Sequence, residues 1–272
     1  MKEQALAIAR GESNRRDATN RLREYLQHLL LRELFEQNIL EQLVFHGGTA
    51  LRILHNLMRF SEDIDFHIRV PEHRLHIETI VETLIKHLEY QNYQVTYKNK
   101  ITGAVRSSMI KFEGILFEAN LSTYPEEKLS VRIEIDTNPP QGFGTKFTMV
   151  NEYFPFGVIH HDENSFLSGK LHAILQRPFT KGRDFYDIWF FLSRWKNCQP
   201  NFKYLNNALK QTKYDGGEIT ETNWVNVIYE CINSANWSQV IKDVEPFILQ
   251  EQDLKLFKKK ILLDLLKTMV CP

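Results

Sequence analysis

Two short strings constrain what this 272-residue chain can fold into. Leu43-Val44-Phe45-His46-Gly47-Gly48-Thr49 runs from apolar residues into a glycine pair and a hydroxyl. After thirteen intervening residues comes Asp63-Ile64-Asp65-Phe66, where acids and apolar residues alternate. Alternation at period two predicts a strand with both carboxylates on one face and Ile64 and Phe66 on the other. Ala50 to Met58, between the strings, has helix-forming composition.

Two acids on one strand face repel each other and need a cation, a proton or full solvation. A hard divalent ion answers that need, and Mg²⁺ binds through one or two carboxylates plus substrate phosphates. The glycine pair lets backbone approach a phosphate closely, and N–H groups at the start of the following helix favour an anion. Turn, helix and Asp-x-Asp strand together read as a triphosphate-plus-metal site. An isolated Asp-x-Asp is more often an acid pair capping a neighbouring loop, and the Gly-Gly-Thr turn is what argues otherwise here.

The combination Gly48-Thr49 and Asp63-Ile64-Asp65 resembles the signature of the nucleotidyltransferase fold shared with DNA polymerase beta. The longer strings, Gly47-Gly48-Thr49-Ala50-Leu51-Arg52 and Ser61-Glu62-Asp63-Ile64-Asp65-Phe66, more narrowly resemble the AbiEii/AbiGii (MenT-like) toxin family. Threonine replaces the superfamily's serine after Gly48, and both present a hydroxyl. The resemblance covers roughly residues 40–195. It implies an NTP-dependent nucleotidyltransferase acting as the toxin of a toxin–antitoxin (abortive infection, phage defence) system. It also implies Mg²⁺, with Mn²⁺ as substitute, a cognate antitoxin, and the 3′ end of a tRNA as acceptor. A protein hydroxyl (AMPylation), an aminoglycoside-type small molecule, or nucleotide binding without transfer are the alternative readings.

The rest of the first half reads as mixed β and helix. Residues 14–40 show a helical pattern (Leu22, Tyr25, Leu26, Leu29, Leu30, Leu34) with interspersed arginines, expected to pack under the sheet. Those arginines fit a solvated helix face better than contacts to RNA phosphates. Pro71 is expected to close the acidic strand. A helix is predicted over 72–90, then β-type runs at 93–97, 107–112, 115–121 and 129–136. In the last, Val131, Ile133 and Ile135 alternate with Arg132, Glu134 and Asp136. Surface exposure alone accounts for that pattern. In nucleotidyltransferases a third carboxylate on a neighbouring strand completes the metal site and can accept a proton. The resemblance points to Glu134, with Asp136 as competitor on the same face. Further strands are expected at 146–150 and 154–159. The fold class expected is α+β, a mixed sheet with flanking helices followed by a helical C-terminal domain.

The boundary is placed near residue 161, giving a nucleotidyltransferase-like domain over 1–161 and a helical domain over 162–272 that contributes to the active site. Adjacent His160 and His161 point to opposite sides of a strand and read as structural or surface residues. One helix ends at Pro178, with Lys170 and Arg177 seven apart on nearly one face. Then comes Arg183-Asp184-Phe185-Tyr186-Asp187. Acids in a first helical turn are explained by the helix dipole alone. Lys170-Leu171-His172-Ala173 and Arg183-Asp184-Phe185-Tyr186-Asp187 resemble the later motifs of the AbiEii/AbiGii family, which implies that Lys170 lies near the nucleotide phosphates and that Asp184 is needed for activity. Arg177, by its helix spacing from Lys170, is a further nucleotide-binding candidate. Asp187 is expected to pair with Arg183, four residues before it. Later helices are expected near 202–212, 221–234, 237–249 and 253–268. The last carries Lys255, Lys258, Lys259 and Lys260, a solvated face or a contact for tRNA or an acidic antitoxin.

Composition excludes a few classes. Lysine plus arginine equals aspartate plus glutamate at 34 each, so nucleic-acid binding must be a local patch. Cys198, Cys231 and Cys271 form no Cys-x-x-Cys, which argues against zinc and a disulfide framework. With no long apolar run, the expectation is a cytoplasmic protein without membrane contact.

Overall fold

A computed structural model describes residues 1–69, 76–195 and 198–269. Pro71 and Cys271 lie outside the described residues. Contacts group the chain into two compact units. The first comprises Met1–Asn56, Phe60–Pro139 and Phe147–His160, and the second comprises Leu57–Arg59, Pro140–Lys146 and His161–Pro272. The short segments Leu57–Arg59 and Pro140–Lys146 thus belong with the helical C-terminal part.

The first unit opens with helices α1 (Lys2–Arg10) and α2 (Arg15–Glu36), followed by β1 (Leu43–His46) and α3 (Gly47–His55). Next come β2 (Asp63–Ile68), α4 (Ile77–Tyr90), β3 (Gln94–Lys100), β4 (Val105–Glu113) and α5 (Ile115–Glu118). Strands β5 (Leu129–Asp136), β6 (Thr145–Asn151) and β7 (Pro155–His161) complete a mixed sheet of order β3-β4-β5-β2-β1-β7-β6. The pairs β1/β2, β3/β4 and β4/β5 are antiparallel, whereas β2/β5 and β1/β7 are parallel.

The alternation read from the sequence sets the two faces of the central strands. Ile64 and Phe66 of β2 and Val131, Ile133 and Ile135 of β5 are buried. Asp63, Asp65, Arg132, Glu134 and Asp136 are half-buried on the opposite face. The apolar stripe of α2 (Leu22, Tyr25, Leu26, Leu29, Leu30, Leu34) is at most 1 % exposed, and α2 packs on β5 and α4. Burial of such side chains stabilises by roughly 1.5–3 kcal/mol each. Arginines of α2 are matched within the unit: Arg15 to Glu127, Arg21 to Glu24 and Arg32 to Glu36.

Two expectations for this unit need correction. The run at 115–121 is not a strand: Gly114 sits at φ +67° and ends β4, and α5 follows. Ile115 and Leu116 are consecutive and both buried, which a half-exposed strand cannot do. Helix α3 also starts at Gly47 rather than at Ala50, and stops at Asn56 in the left-handed region.

The second unit is helical: α6 (Glu163–Gln176), α7 (Gly182–Arg194), α8 (Phe202–Gln211), α9 (Trp224–Ser234), α10 (Trp237–Val244), α11 (Glu251–Leu256) and α12 (Lys259–Lys267). The expected last helix, 253–268, is broken in two. Phe257 leaves helical geometry and is buried against Tyr186, Trp189 and Trp237, so aromatic packing overrides propensity there. Likewise the helix expected over 237–249 ends at Val244, where Pro246 sits in a 3₁₀ turn. Lys259 of the basic run donates to the carbonyls of Asn233 and Ala235 and so caps α9. His160 and His161 are both buried; His160 hydrogen-bonds Thr148 at 2.9 Å and His161 packs on Phe143 and Tyr204.

Candidate active site

In the first unit, strand register brings the predicted acids together. Asp65 of β2 stands opposite Glu134 of β5, and Asp63 stands opposite Arg132. Directly opposed residues in adjacent strands share one face. Asp136 is one step further, opposite His67, and its carboxylate accepts the Asn138 backbone N–H at 2.9 Å. Burial pushes the Asp136 carboxyl up, with that hydrogen bond working against the shift. Asp136 thus closes the strand end, while Glu134 faces Asp65. Arg132 reaches the Glu134 carboxylate at 3.3 Å.

Gly47 has a specific reason to be glycine. Its φ is +78°, and a Cβ there would lie 2.2 Å from Asp65 Oδ2. The turn backbone therefore rests directly against the Asp65 carboxylate. Gly47→Ala is expected to leave the protein folded but cost about 1–2 kcal/mol of stability from the backbone alone. It should also displace Asp65 and cut activity by at least about tenfold, since small misplacements of reacting groups are costly. Thermal melts and transfer rates on one preparation check both effects; unchanged transfer would detach Gly47 from the site.

Thr49 is fully buried, and its hydroxyl donates to the Asp63 carbonyl. Gln27 of α2 adds contacts to Thr49 Oγ1 at 3.5 Å and the Ser61 carbonyl at 3.1 Å. The Thr49 side chain therefore ties α3 to the start of β2. Arg52, also in the motif, binds Glu24 at 2.5 Å and lies over the Phe60 ring. Glu24 in turn takes Arg21 at 3.0 Å. These links anchor the turn-helix-strand segment on α2.

Sequence reading missed the imidazoles on this face. His46 stands opposite Asp65 across β1/β2, and its ring centroid is 3.9 Å from that of His67. Burial, with His46 adding to it, holds His67 well below the ordinary histidine range, so His67 is neutral. The signal was available: His67 shares the parity of Asp63 and Asp65.

Among the described residues, no group of three or more His, Cys, Asp or Glu forms a ready metal cage. The donor set still fits a hard divalent ion. Two carboxylates alternate on one strand, a third stands in register with one of them, and carboxylate oxygens plus substrate phosphates are the ligands Mg²⁺ takes.

The second unit holds a compact charge cluster. Lys170 of α6 contacts Asp184 at 2.9 Å and Asp187 at 2.7 Å, both on α7. Arg59 grips Asp187 with two 2.6 Å hydrogen bonds, and Arg177 Nε meets Asp184 at 2.9 Å. Asp187 thus pairs with Arg59 and Lys170, not with Arg183 as expected. Arg183 Nε instead lies 3.9 Å from Asp243, and its guanidinium covers the Phe247 ring. Helical spacing predicted a local i,i+4 pair, but an arginine 128 positions away offered a planar fork in a buried setting. Sequence alone gives Arg59 no partner.

Burial works against the ammonium of Lys170, but Asp184 and Asp187 outweigh it and the pKa is raised. Burial likewise works against the Asp184 carboxylate, but Lys170 and Arg177 outweigh it and bring the pKa down to about 2. A carboxyl depressed below its unfolded value stabilises fully above the unfolded pKa and loses that contribution as pH falls through the folded one. The predicted window is therefore pH 3.8 down to about 2. Asp184→Asn should flatten the stability change across it in a pH series of denaturant melts, and an unchanged acid limb would contradict the ion-pair assignment.

The mixed sheet, helical C-terminal half and paired strand carboxylates define the class: a nucleotidyltransferase-type fold. Two crystal structures from Helicobacter pylori share it. One, described as a candidate nucleotidyltransferase, superposes with TM-score 0.54 at 17% identity over 91% of each chain. The other, JHP933, gives TM-score 0.56 at 16% identity over 91% of this chain and 90% of its own. No curated protein sequence matches the chain. The family description "Nucleotidyl transferase AbiEii toxin, Type IV TA system" matches residues 28–265. The chain belongs to the AbiEii family, and is a nucleotidyltransferase of the toxin class of type IV toxin–antitoxin systems. Membership implies an NTP substrate and an antitoxin partner. Among the described residues no helix is long and apolar enough to cross a membrane.

Proposed function

We propose that this toxin transfers a nucleotide from an NTP to an acceptor hydroxyl, the 3′ end of tRNA, using a divalent ion on Asp63 and Asp65 with Glu134 as third acid. The register that sets Glu134 opposite Asp65 carries the reading. Mg²⁺, or Mn²⁺ in its place, would supply charge stabilisation for the triphosphate when bound. Glu134 is the base candidate for the acceptor hydroxyl, because it stands in register with Asp65 whereas Asp136 stands opposite His67. The Gly47–Gly48 backbone, with Thr49 fixing its position, is the phosphate-facing turn.

The reading assigns Lys170 and Arg177 to phosphate charge and Asp184 to holding both cations. An ammonium has three N–H donors, and at Lys170 two of them face Asp184 and Asp187, so one donor is available to a phosphate oxygen. The setting is the cytoplasm, where NTPs and tRNA are available, and the biological outcome is growth arrest of the phage-defence kind. The test is incubation with each α-phosphate-labelled NTP, Mg²⁺ and total tRNA, in the presence of total protein. Label on tRNA is expected. Label on protein would move the acceptor to a protein hydroxyl, and no label on either would reject transfer.

A further inference from the structure

The helical unit contains a cleft of about 380 Å³ between the α6–α7 connection and the start of α10. Arg177, Phe179, Lys181, Ser234 and Asn236 are among its walls. Gly182 makes the cleft possible: a Cβ there would lie 2.0 Å from the Val240 carbonyl oxygen, so α7 starts in backbone contact with α10. Helices α7 and α10 begin at the cleft while α6 and α9 end there, so helix dipoles largely cancel and side chains set its charge.

Their balance is cationic. Of the charged side chains that line the cleft, Arg177 and Lys181 are cationic and Asp184 is anionic, an excess of one positive charge. Asp184 is engaged by Lys170 and Arg177. Lys181 is half-buried, and no ion pair or hydrogen bond of its ammonium is found among the described residues. Burial first, then Arg183 and Arg177, lower its pKa. Such a group gains from an anion. Beside it, Phe179 is 61% exposed, with the Arg177 guanidinium 6.0 Å from its ring centroid. An exposed aromatic next to a cation is the pairing that single-stranded nucleotide chains use, phosphate on the charge and base on the ring.

We propose that this cleft is a phosphate-binding subsite for a nucleotide, with Lys181 holding the phosphate and Phe179 stacking on the base. The phosphate is carried by a single-stranded RNA or by a free nucleotide. The ligand class rests on the nucleotidyl-transfer reading, while the cleft and its charge do not.

The test uses the full chain carrying Asp65→Asn, so that binding is measured without turnover. Fluorescence anisotropy follows a labelled single-stranded oligo(A) RNA and a labelled ATP over a salt series, with Lys181→Ala and Phe179→Ala added separately. With RNA as the source, Lys181→Ala should weaken RNA binding about tenfold and make the log–log salt slope shallower by about one. Phe179→Ala should weaken it by a similar factor, about tenfold, with the salt slope unchanged. The same losses seen with ATP alone would assign the subsite to free nucleotide. Variants that bind both probes like their parent, or a parent that binds neither, overturn the subsite. Because Phe179 is mostly exposed, its variant keeps the test decisive should Lys181→Ala unfold. Absence of label transfer by the wild type would sink the transfer reading and leave this result standing.

Discussion

Asp65→Asn is expected to lower nucleotide transfer by roughly 10³-fold or more while the melting temperature stays close to wild type, because it removes charge where the transition state needs it. Asparagine keeps the shape, so the fold has no reason to change. Asp65 is half-buried at the meeting point of three elements: the Gly47 turn, His46 across β1, and Glu134 across β5. Asp63→Asn should behave similarly, and Glu134→Gln should separate a base from a bystander through its pH–rate profile. Transfer at wild-type rate in the Asp65 variant would remove the carboxylate face from the chemistry.

Asp187→Ala is expected to have the largest effect on stability. Asp187 is fully buried and binds two cations, the buried Arg59 through a bidentate pair and the half-buried Lys170 at 2.7 Å. Breaking a buried pair strands uncompensated charge and costs about 3–5 kcal/mol. For a chain of this size that corresponds to a fall of roughly 10 °C in melting temperature. Adding Arg59→Met should recover part of the loss, because it removes one stranded charge along with its partner. Thermal melts of the single and double variants check this. A single variant as stable as wild type would mean that the cluster contributes little to holding the helical unit.

The carboxylate face of β2 and that of β5 are legible from sequence because strand parity is strict. Alternation places Asp63 and Asp65 on one face of β2 and Glu134 with Asp136 on one face of β5, helical spacing sets the apolar stripe of α2, and only the pairing of β2 with β5 puts the acids side by side. The details set by partners distant in the chain are not legible. Nothing local shows that Arg59 is reserved for Asp187, that Glu24 holds Arg52, or that the Thr49 hydroxyl is spent on the Asp63 carbonyl. The glycine pair reads as a phosphate turn, yet part of its cause is closer at hand: the Asp65 carboxylate occupies the space a Gly47 side chain would need. Local rules fail in the same way at Phe257, where an aromatic cluster breaks a helix that periodicity would continue.

The most direct test of the carboxylate face is Mn²⁺ binding followed by electron paramagnetic resonance, with and without NTP, in wild type, Asp65→Asn and Glu134→Gln. Wild type should bind Mn²⁺ more tightly when NTP is present, with Asp65→Asn losing that gain and Glu134→Gln retaining part of it. Equal Mn²⁺ binding by all three proteins would contradict the assignment of the metal to this strand face.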